Sequence, residues 1–195
     1  MSTTKKRGIS TQMLTMGSIL TAIVVVLQLV AKFTTGFLPV TISLSLIPIV
    51  IGAAKCHPLM GGWLGLVSGA TILLSLSAEP FFTLNPWATI LIVLVKGVAS
   101  GLLAGLVYRL LKNVNVYLAV IVAAIVCPVV NTGIFFLGCI TFFMEEITAW
   151  GQAAAFNNTV AYMFLGLAGW NFIFELGTNV AFSPIIMRLL SIKDR

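Results

Sequence analysis

Charged residues are scarce in this sequence of 195 residues. Asp, Glu, Lys and Arg together make up 8% of the chain, whereas hydrophobic residues make up 59%. A soluble domain of this size could not cover its surface with so few charges. The composition therefore excludes a soluble globular protein and predicts an all-α integral membrane protein.

Residues that commonly carry out catalysis or bind metals are also few. The sequence has one histidine, His57, and three cysteines without the paired spacing of a metal site. It has no glycine-rich phosphate loop, so any ATP energy would have to come from another subunit. We therefore expect no enzyme activity, no metal and no cofactor.

Six apolar segments have about the length needed to cross a bilayer, for which a helix uses about 20 residues. They leave no room for a soluble domain, so residues 1–195 are predicted to form a single six-helix membrane domain. The predicted spans cover about residues 12–32, 38–54, 59–77, 86–109, 116–143 and 160–190.

Basic residues flank these spans and predict their orientation. With the N-terminus inside, nine lysines and arginines fall on the cytoplasmic side and only Lys32 falls outside. This asymmetry is typical of membrane topology and predicts that both termini are cytoplasmic. The net charge of +6 is therefore a topological signal, and no nucleic-acid partner is expected.

Polar residues near the middle of three spans are candidate ligand-binding residues. Lys96 is the only charge between Phe81 and Tyr108, and Glu175 lies deep in the sixth span. Ionisable residues at membrane depth are costly and therefore often functional. The candidates are Asn85, Thr89 and Lys96 on one face of the fourth span, Asn131 in the fifth, and Asn171, Glu175 and Asn179 at four-residue spacing in the sixth.

Two interpretations of these residues remain open. Lys96 and Glu175 could neutralise each other and join two helices, or Lys96 and the asparagines could bind a ligand. Glu175 could also hold Lys96 while a substrate takes its remaining donors. An unpaired Lys96 would favour a carboxylate ligand, whereas a paired one would favour a neutral heterocycle stacked on aromatic residues such as Phe37 or Trp87.

Glycines recur every four residues in the third and fourth predicted spans. Such stripes allow helix backbones to approach closely in a membrane. The stripes serve either packing within the chain or docking of another membrane protein. They consist of Gly61, Gly65 and Gly69, and of Gly97, Gly101 and Gly105.

The layout of six short helices with cytoplasmic termini and elaborate outer loops resembles the substrate-binding S components of energy-coupling factor (ECF) vitamin transporters. The stretch after the first span is also similar to that family, in which a loop with Pro leads to Ser, Pro, Gly and a Gly-Pro turn. The corresponding residues here are Pro39, Ser43 or Ser45, Pro48, Gly52, Pro58, Gly62 and Gly65, with His57 in place of the turn glycine.

The resemblance implies a vitamin-like substrate, bound with high affinity in a pocket formed by the first loop and helices four to six. It also implies partners, namely one ECF membrane subunit and two ATPase subunits, in the plasma membrane of a prokaryote. Small residues of the first helix would then dock on the membrane subunit. The candidate docking residues are Gly17, Ser18, Ala22, Gly61 and Gly65.

The rival hypothesis is a self-sufficient secondary transporter or channel, in which Lys96 and Glu175 would couple transport to ions or protons. A single six-helix unit would have to dimerise to build inverted repeats, so its size argues against this hypothesis. A purely structural membrane subunit is a third possibility and predicts no ligand.

Overall fold

The computed structural model describes residues 11–34, 44–75 and 77–191, and all regular structure within them is helical. The predicted all-helical class is confirmed. The helices are α1 (Thr11–Thr34), α2 (Leu46–Lys55), α3 (Pro58–Leu74), α4 (Glu79–Leu84), α5 (Pro86–Leu111), α6 (Val116–Phe142), α7 (Met144–Ala153), α8 (Thr159–Tyr162), the π-helical turn Met163–Leu167, α9 (Gly169–Ala181) and α10 (Ser183–Ser191).

Asparagine side chains cap several helices at their N-termini. The Asn85 Oδ1 accepts a hydrogen bond of 3.1 Å from the Ala88 backbone N–H, and Asn115 caps α6 in the same way. Proline follows the cap of α5 at Pro86, where its missing N–H costs nothing and its fixed φ suits a helix. These local signals start α5 and α6 directly after short turns.

Within the described part of the chain, four helical segments are long and apolar enough to cross a membrane. They are Thr11–Phe33, Pro86–Leu111, Val116–Phe142 and Gly169–Ser191, and the shorter apolar helices α2 and α3 accompany them. At 1.5 Å per residue, the 17 residues of α3 span about 25 Å. Residues 38–43 of the predicted second span lie outside the described residues.

Helices also occupy two segments that the sequence predicts as loops, and the last predicted span is interrupted. Helix α4 and helix α7 fall in these loops, where the side chain of Ile147 in α7 is fully buried. In the last predicted span, the helix is interrupted at Ala168, between the π turn and α9. A Cβ on Gly169 would overlap the Phe164 carbonyl oxygen, so only glycine fits this close backbone approach.

The contact between α3 and α5 is made by backbone on backbone. A Cβ added to Gly65 would overlap the Gly97 carbonyl group, and one added to Gly61 would lie 2.5 Å from the Gly101 carbonyl oxygen. The glycines of both stripes therefore face each other within the chain. This arrangement holds α3 and α5 together as one wall of the bundle.

Two buried apolar clusters surround this wall. We call the first the Leu64 cluster, in which side chains of α1, α2, α3, α5, α6 and α10 meet, and the second the Phe143 cluster, formed by α4 to α7 and the π turn. The Phe143 cluster includes T-shaped aromatic contacts of Phe81 with Phe135 and Trp150. It supplies most of the apolar lining of the cavity described next.

Candidate functional site

A cavity of about 300 Å³ lies between α5, α6 and α9, and residues of α1, α3 and α4 also line it. This volume is at the lower end of the range for small-molecule sites. Its lining is apolar with a few polar groups, which is typical of such sites. The main polar residues that line it are Gln28, Thr89, Lys96, Asn131, Asn171 and Glu175.

Helix α5 contributes Thr89 and Lys96 to one side of the cavity. The Thr89 hydroxyl donates a hydrogen bond of 2.9 Å to the Asn85 carbonyl oxygen, which leaves its lone pairs available as acceptors. The Lys96 Nζ lies 5.2 Å from the centre of the Phe135 ring, within the range of a cation–π interaction. Phe135 thus supports the ammonium group within an otherwise apolar wall.

Glu175 lies on α9 and is buried, with 7% of its surface exposed. Its carboxyl group attracts Lys96 and interacts with the Asn131 side chain. Within the described residues, however, no nitrogen–oxygen distance between Lys96 and Glu175 is 4.0 Å or less. The two groups are therefore close enough to attract each other without forming a direct ion pair.

The open arrangement of Lys96 and Glu175 leaves hydrogen-bonding capacity directed at the cavity. An ammonium group has three donors and an ionised carboxylate accepts several hydrogen bonds. Asn131 and Asn171 contribute amide groups to the same cavity lining. A ligand that placed acceptors near Lys96 and donors near Glu175 would satisfy groups that are costly to leave without partners in an apolar environment.

The cavity brings together only some of the predicted site residues: Thr89, Lys96, Asn131, Asn171 and Glu175 line it. Asn85 instead caps α5, and Trp87 is 82% exposed. Asn179 is fully buried one turn beyond Glu175, where its Nδ2 donates a hydrogen bond of 2.8 Å to the Glu175 carbonyl oxygen. Phe37 lies outside the described residues.

Sequence reasoning missed Gln28 and the aromatic residues Phe81 and Phe135, all of which line the cavity. Gln28 carried a usable signal, because it is a polar amide inside the long apolar run of the first span. The two phenylalanines carried none, since phenylalanine is ordinary both in a membrane helix and in a loop at the membrane surface. Their positions become significant only when the packing of α4 and α6 is known.

The candidate docking residues occupy different surroundings. Ser18 and Ala22 are exposed on α1, whereas Gly17 is buried against Met60. Gly61 and Gly65 are buried against the backbone of α5. Of these residues, Ser18 and Ala22 are therefore the two that a partner could reach without rearrangement of the chain.

Helices of membrane-spanning length around a small, partly polar cavity define a membrane protein with an internal ligand site. The sequence matches the family of the ECF transporter, substrate-specific component, over residues 12–187. The match covers nearly the whole chain, so the chain belongs to this family, as the resemblance predicted. No curated protein and no solved structure shows significant similarity to it.

Membership in this family defines the general role of the protein. Substrate-specific components are the substrate-binding subunits of ECF transporters, and they work with ECF membrane and ATPase subunits. Together with the four long apolar helices, this makes the chain a multi-pass membrane protein of transmembrane transport.

Proposed function

We propose that this protein binds a vitamin-like small molecule with high affinity in the cavity between α5, α6 and α9. The observation that supports this proposal is the cavity itself, which places Lys96 and Glu175 near each other without a direct ion pair. Ionisable residues are retained at membrane depth mainly where they bind or move something.

The proposed ligand carries a carboxylate or a similar acceptor group. Because Lys96 forms no ion pair within the described residues, its donors are available to such a group. Pantothenate is an example of a carboxylate vitamin with suitable chemistry. A neutral heterocycle remains the alternative, and Phe81 and Phe135 would then provide the aromatic contacts.

In the proposed topology, six helices cross the plasma membrane of a prokaryote and both termini are cytoplasmic. Helices α2 and α3 would complete the six spans. The charge asymmetry supports this orientation, since nine basic residues then lie on the cytoplasmic side. Reporter fusions at each terminus and at the turn around Asn113 would test it, and an outward-facing terminus would contradict it.

Mass spectrometry of the purified protein tests the central proposal most directly. We expect a small organic molecule to copurify and to be released on denaturation. A control protein with Lys96→Met should release much less of it, because the change removes the charge and all three donors. Absence of any retained compound, together with no binding in a screen of water-soluble vitamins, would contradict the proposal.

Reconstitution into liposomes separates this proposal from the rival secondary transporter. The protein alone should bind its ligand without accumulating it, and uptake should require the ECF membrane subunit, two ATPase subunits and ATP. Gradient-driven uptake by the chain alone would instead support ion coupling through Lys96 and Glu175.

The proposed docking surface is the exposed face of α1 that carries Ser18 and Ala22. Small residues there would let a helix of the membrane subunit approach closely. Ala22→Leu should abolish uptake by the complete transporter and leave ligand binding unchanged. Ala181→Leu, at an exposed alanine of α9, is the matched control and should retain uptake. Equal uptake by the two variants would exclude this face of α1.

A further inference from the structure

Gln28 of α1 is a buried amide whose carbonyl end is fully engaged. Its side chain is 5% exposed and lines the cavity. The Gln28 Oε1 accepts a hydrogen bond of 2.9 Å from the Ser45 hydroxyl and one of 3.2 Å from the Ser68 hydroxyl. These two bonds use both lone pairs of the oxygen and fix the orientation of the amide.

The nitrogen end of the same amide is open to the cavity. Among the described residues, none accepts a hydrogen bond from the Gln28 Nε2. If the Gln28 Nε2 were also sealed from solvent, it would be a buried polar atom without a partner. In the described part of the chain, the one side-chain atom of that kind is the Asn179 Oδ1. The Gln28 Nε2 is therefore not sealed, and because Gln28 lines the cavity, we infer that this nitrogen faces it.

We propose that Gln28 is a ligand-binding residue, and that Ser45 and Ser68 position it as a hydrogen-bond donor. This inference rests on the proposed function and extends the ligand contacts to α1. The ligand must then present an acceptor, such as a carbonyl oxygen, a carboxylate oxygen or a ring nitrogen, at the side of the cavity formed by α1. A ligand without this acceptor leaves a buried donor without a partner and binds more weakly.

A packing role alone would account for the serine contacts but not for the free donor. The bonds from Ser45 and Ser68 to the Gln28 Oε1 are enough to join α1 to the start of α2 and to α3. For that packing role the Nε2 is not needed. The two roles therefore predict different results for substitutions that remove the Nε2 donor.

Thiol labelling tests the orientation of residue 28 without any ligand. Gln28→Cys should react with a small water-soluble methanethiosulfonate at least about 10-fold faster than Val24→Cys, because reaction requires access to the thiolate. Val24 is one turn earlier on α1 and fully buried, which makes it a matched control. Labelling at each position is measured by peptide mass spectrometry, and equal rates would overturn the proposal.

Ligand retention tests the donor itself. The wild-type protein is incubated with an equimolar mixture of water-soluble vitamins, washed and analysed for the retained compound. We expect Gln28→Leu to weaken binding of that compound by about 10-fold, as for the loss of one hydrogen bond. Gln12→Leu makes the same change at an exposed position of α1 and should bind normally.

The outcomes separate this inference from the proposed function. If the wild-type protein retains a compound and Gln28→Leu binds it equally well, Gln28 has no ligand role and the proposed function stands. If the wild-type protein retains nothing from the mixture, the proposed function fails for these compounds and the role of Gln28 fails with it.

Ser68→Ala tests whether the serines act through Gln28. It should weaken ligand binding in the wild-type background but have no further effect on affinity in a Gln28→Leu background. Such non-additivity is expected when one residue acts only through another. Equal losses of affinity in both backgrounds would assign Ser68 a separate role and overturn its positioning of Gln28.

Discussion

Helix α5 has two faces that are built in opposite ways. Toward α3 it presents Gly97 and Gly101, and backbone meets backbone without any space between the helices. On another face it presents Thr89 and Lys96, which line the cavity between α5, α6 and α9. The same helix thus takes part in a backbone-to-backbone helix contact and in the wall of a cavity.

The difference shows how a small membrane protein can keep an internal site open. The glycine contact fixes α5 by close packing, which is a main source of helix association in membranes. Helix α5 therefore does not depend on contacts across the cavity for its position. Polar and charged residues can line the cavity because the stability of the bundle is supplied elsewhere.

Substitution of a glycine at the α3–α5 contact should have the largest effect. Gly65→Leu would place a side chain into the backbone of α5, so we expect loss of folded protein and, with it, loss of ligand binding. Gly133→Leu is the matched control, because a Cβ at Gly133 meets no atom within 4 Å. Size-exclusion profiles and thermal unfolding in detergent measure the amount of folded protein for the two variants. A folded Gly65→Leu protein that binds ligand but cannot transport would show instead that Gly65 is a docking residue.

Removal of the Lys96 charge should have the next largest effect. Lys96→Met keeps a long apolar stem, so the protein should fold. Ligand binding should weaken by about 10- to 100-fold, since a hydrogen bond to a charged group contributes about 1.5–3 kcal/mol. Isothermal titration with the identified ligand measures this change. Unchanged affinity would mean that the open face of α5 does not contact ligand at Lys96.

Glu175→Gln should weaken binding less, by about 10-fold or below, because it keeps the shape and removes one charge–charge attraction. The double variant Lys96→Met with Glu175→Gln distinguishes a ligand role from a packing role. If the two residues only join helices, both single variants lose stability and the double variant recovers stability and full affinity. Recovery of full affinity would exclude Lys96 as a ligand donor.

An aromatic substitution inside the cavity should have the smallest effect that is still measurable. Phe135→Leu removes the ring beside Lys96 but keeps an apolar side chain there, and it should weaken binding by about 2- to 5-fold, since the lower range of cation–π contributions is about 0.5–1 kcal/mol. Trp87→Leu removes an aromatic residue that is largely exposed outside the cavity and should change affinity less than about 2-fold. A larger effect at Trp87 than at Phe135 would place the ligand nearer the start of α5.

The sequence predicted the central residues of the candidate site but not its outline. Lys96 and Glu175 could be found because a charge inside an apolar run is costly and therefore conspicuous. Asn85 and Asn179 share helix faces with them, but face assignment does not reveal that Asn85 caps a helix or that Asn179 bonds to backbone. Gln28 stood out as a polar amide in an apolar run, but the position of α1 beside the cavity is a tertiary property that the run does not reveal.

The fold, like the site, was predictable from the sequence only in part. The starts of α3 and α5 were predictable from Pro58 and Pro86, which stop one segment and begin the next. Helices α4 and α7 were not predictable as separate elements, because their stability comes from burial against the Phe143 cluster. Short helices that depend on tertiary contacts carry little periodicity of their own.

Because of the backbone contact between α3 and α5, sequence changes in the cavity lining and sequence changes at the helix contact have different consequences. Because Gly65 and Gly97 meet through backbone atoms, their contact does not depend on which side chains line the cavity. Replacing Thr89 or Asn131 would alter the chemistry of the cavity without altering the atoms that hold α3 against α5. The bundle can therefore acquire a new ligand preference through a few side-chain exchanges while the same scaffold is retained.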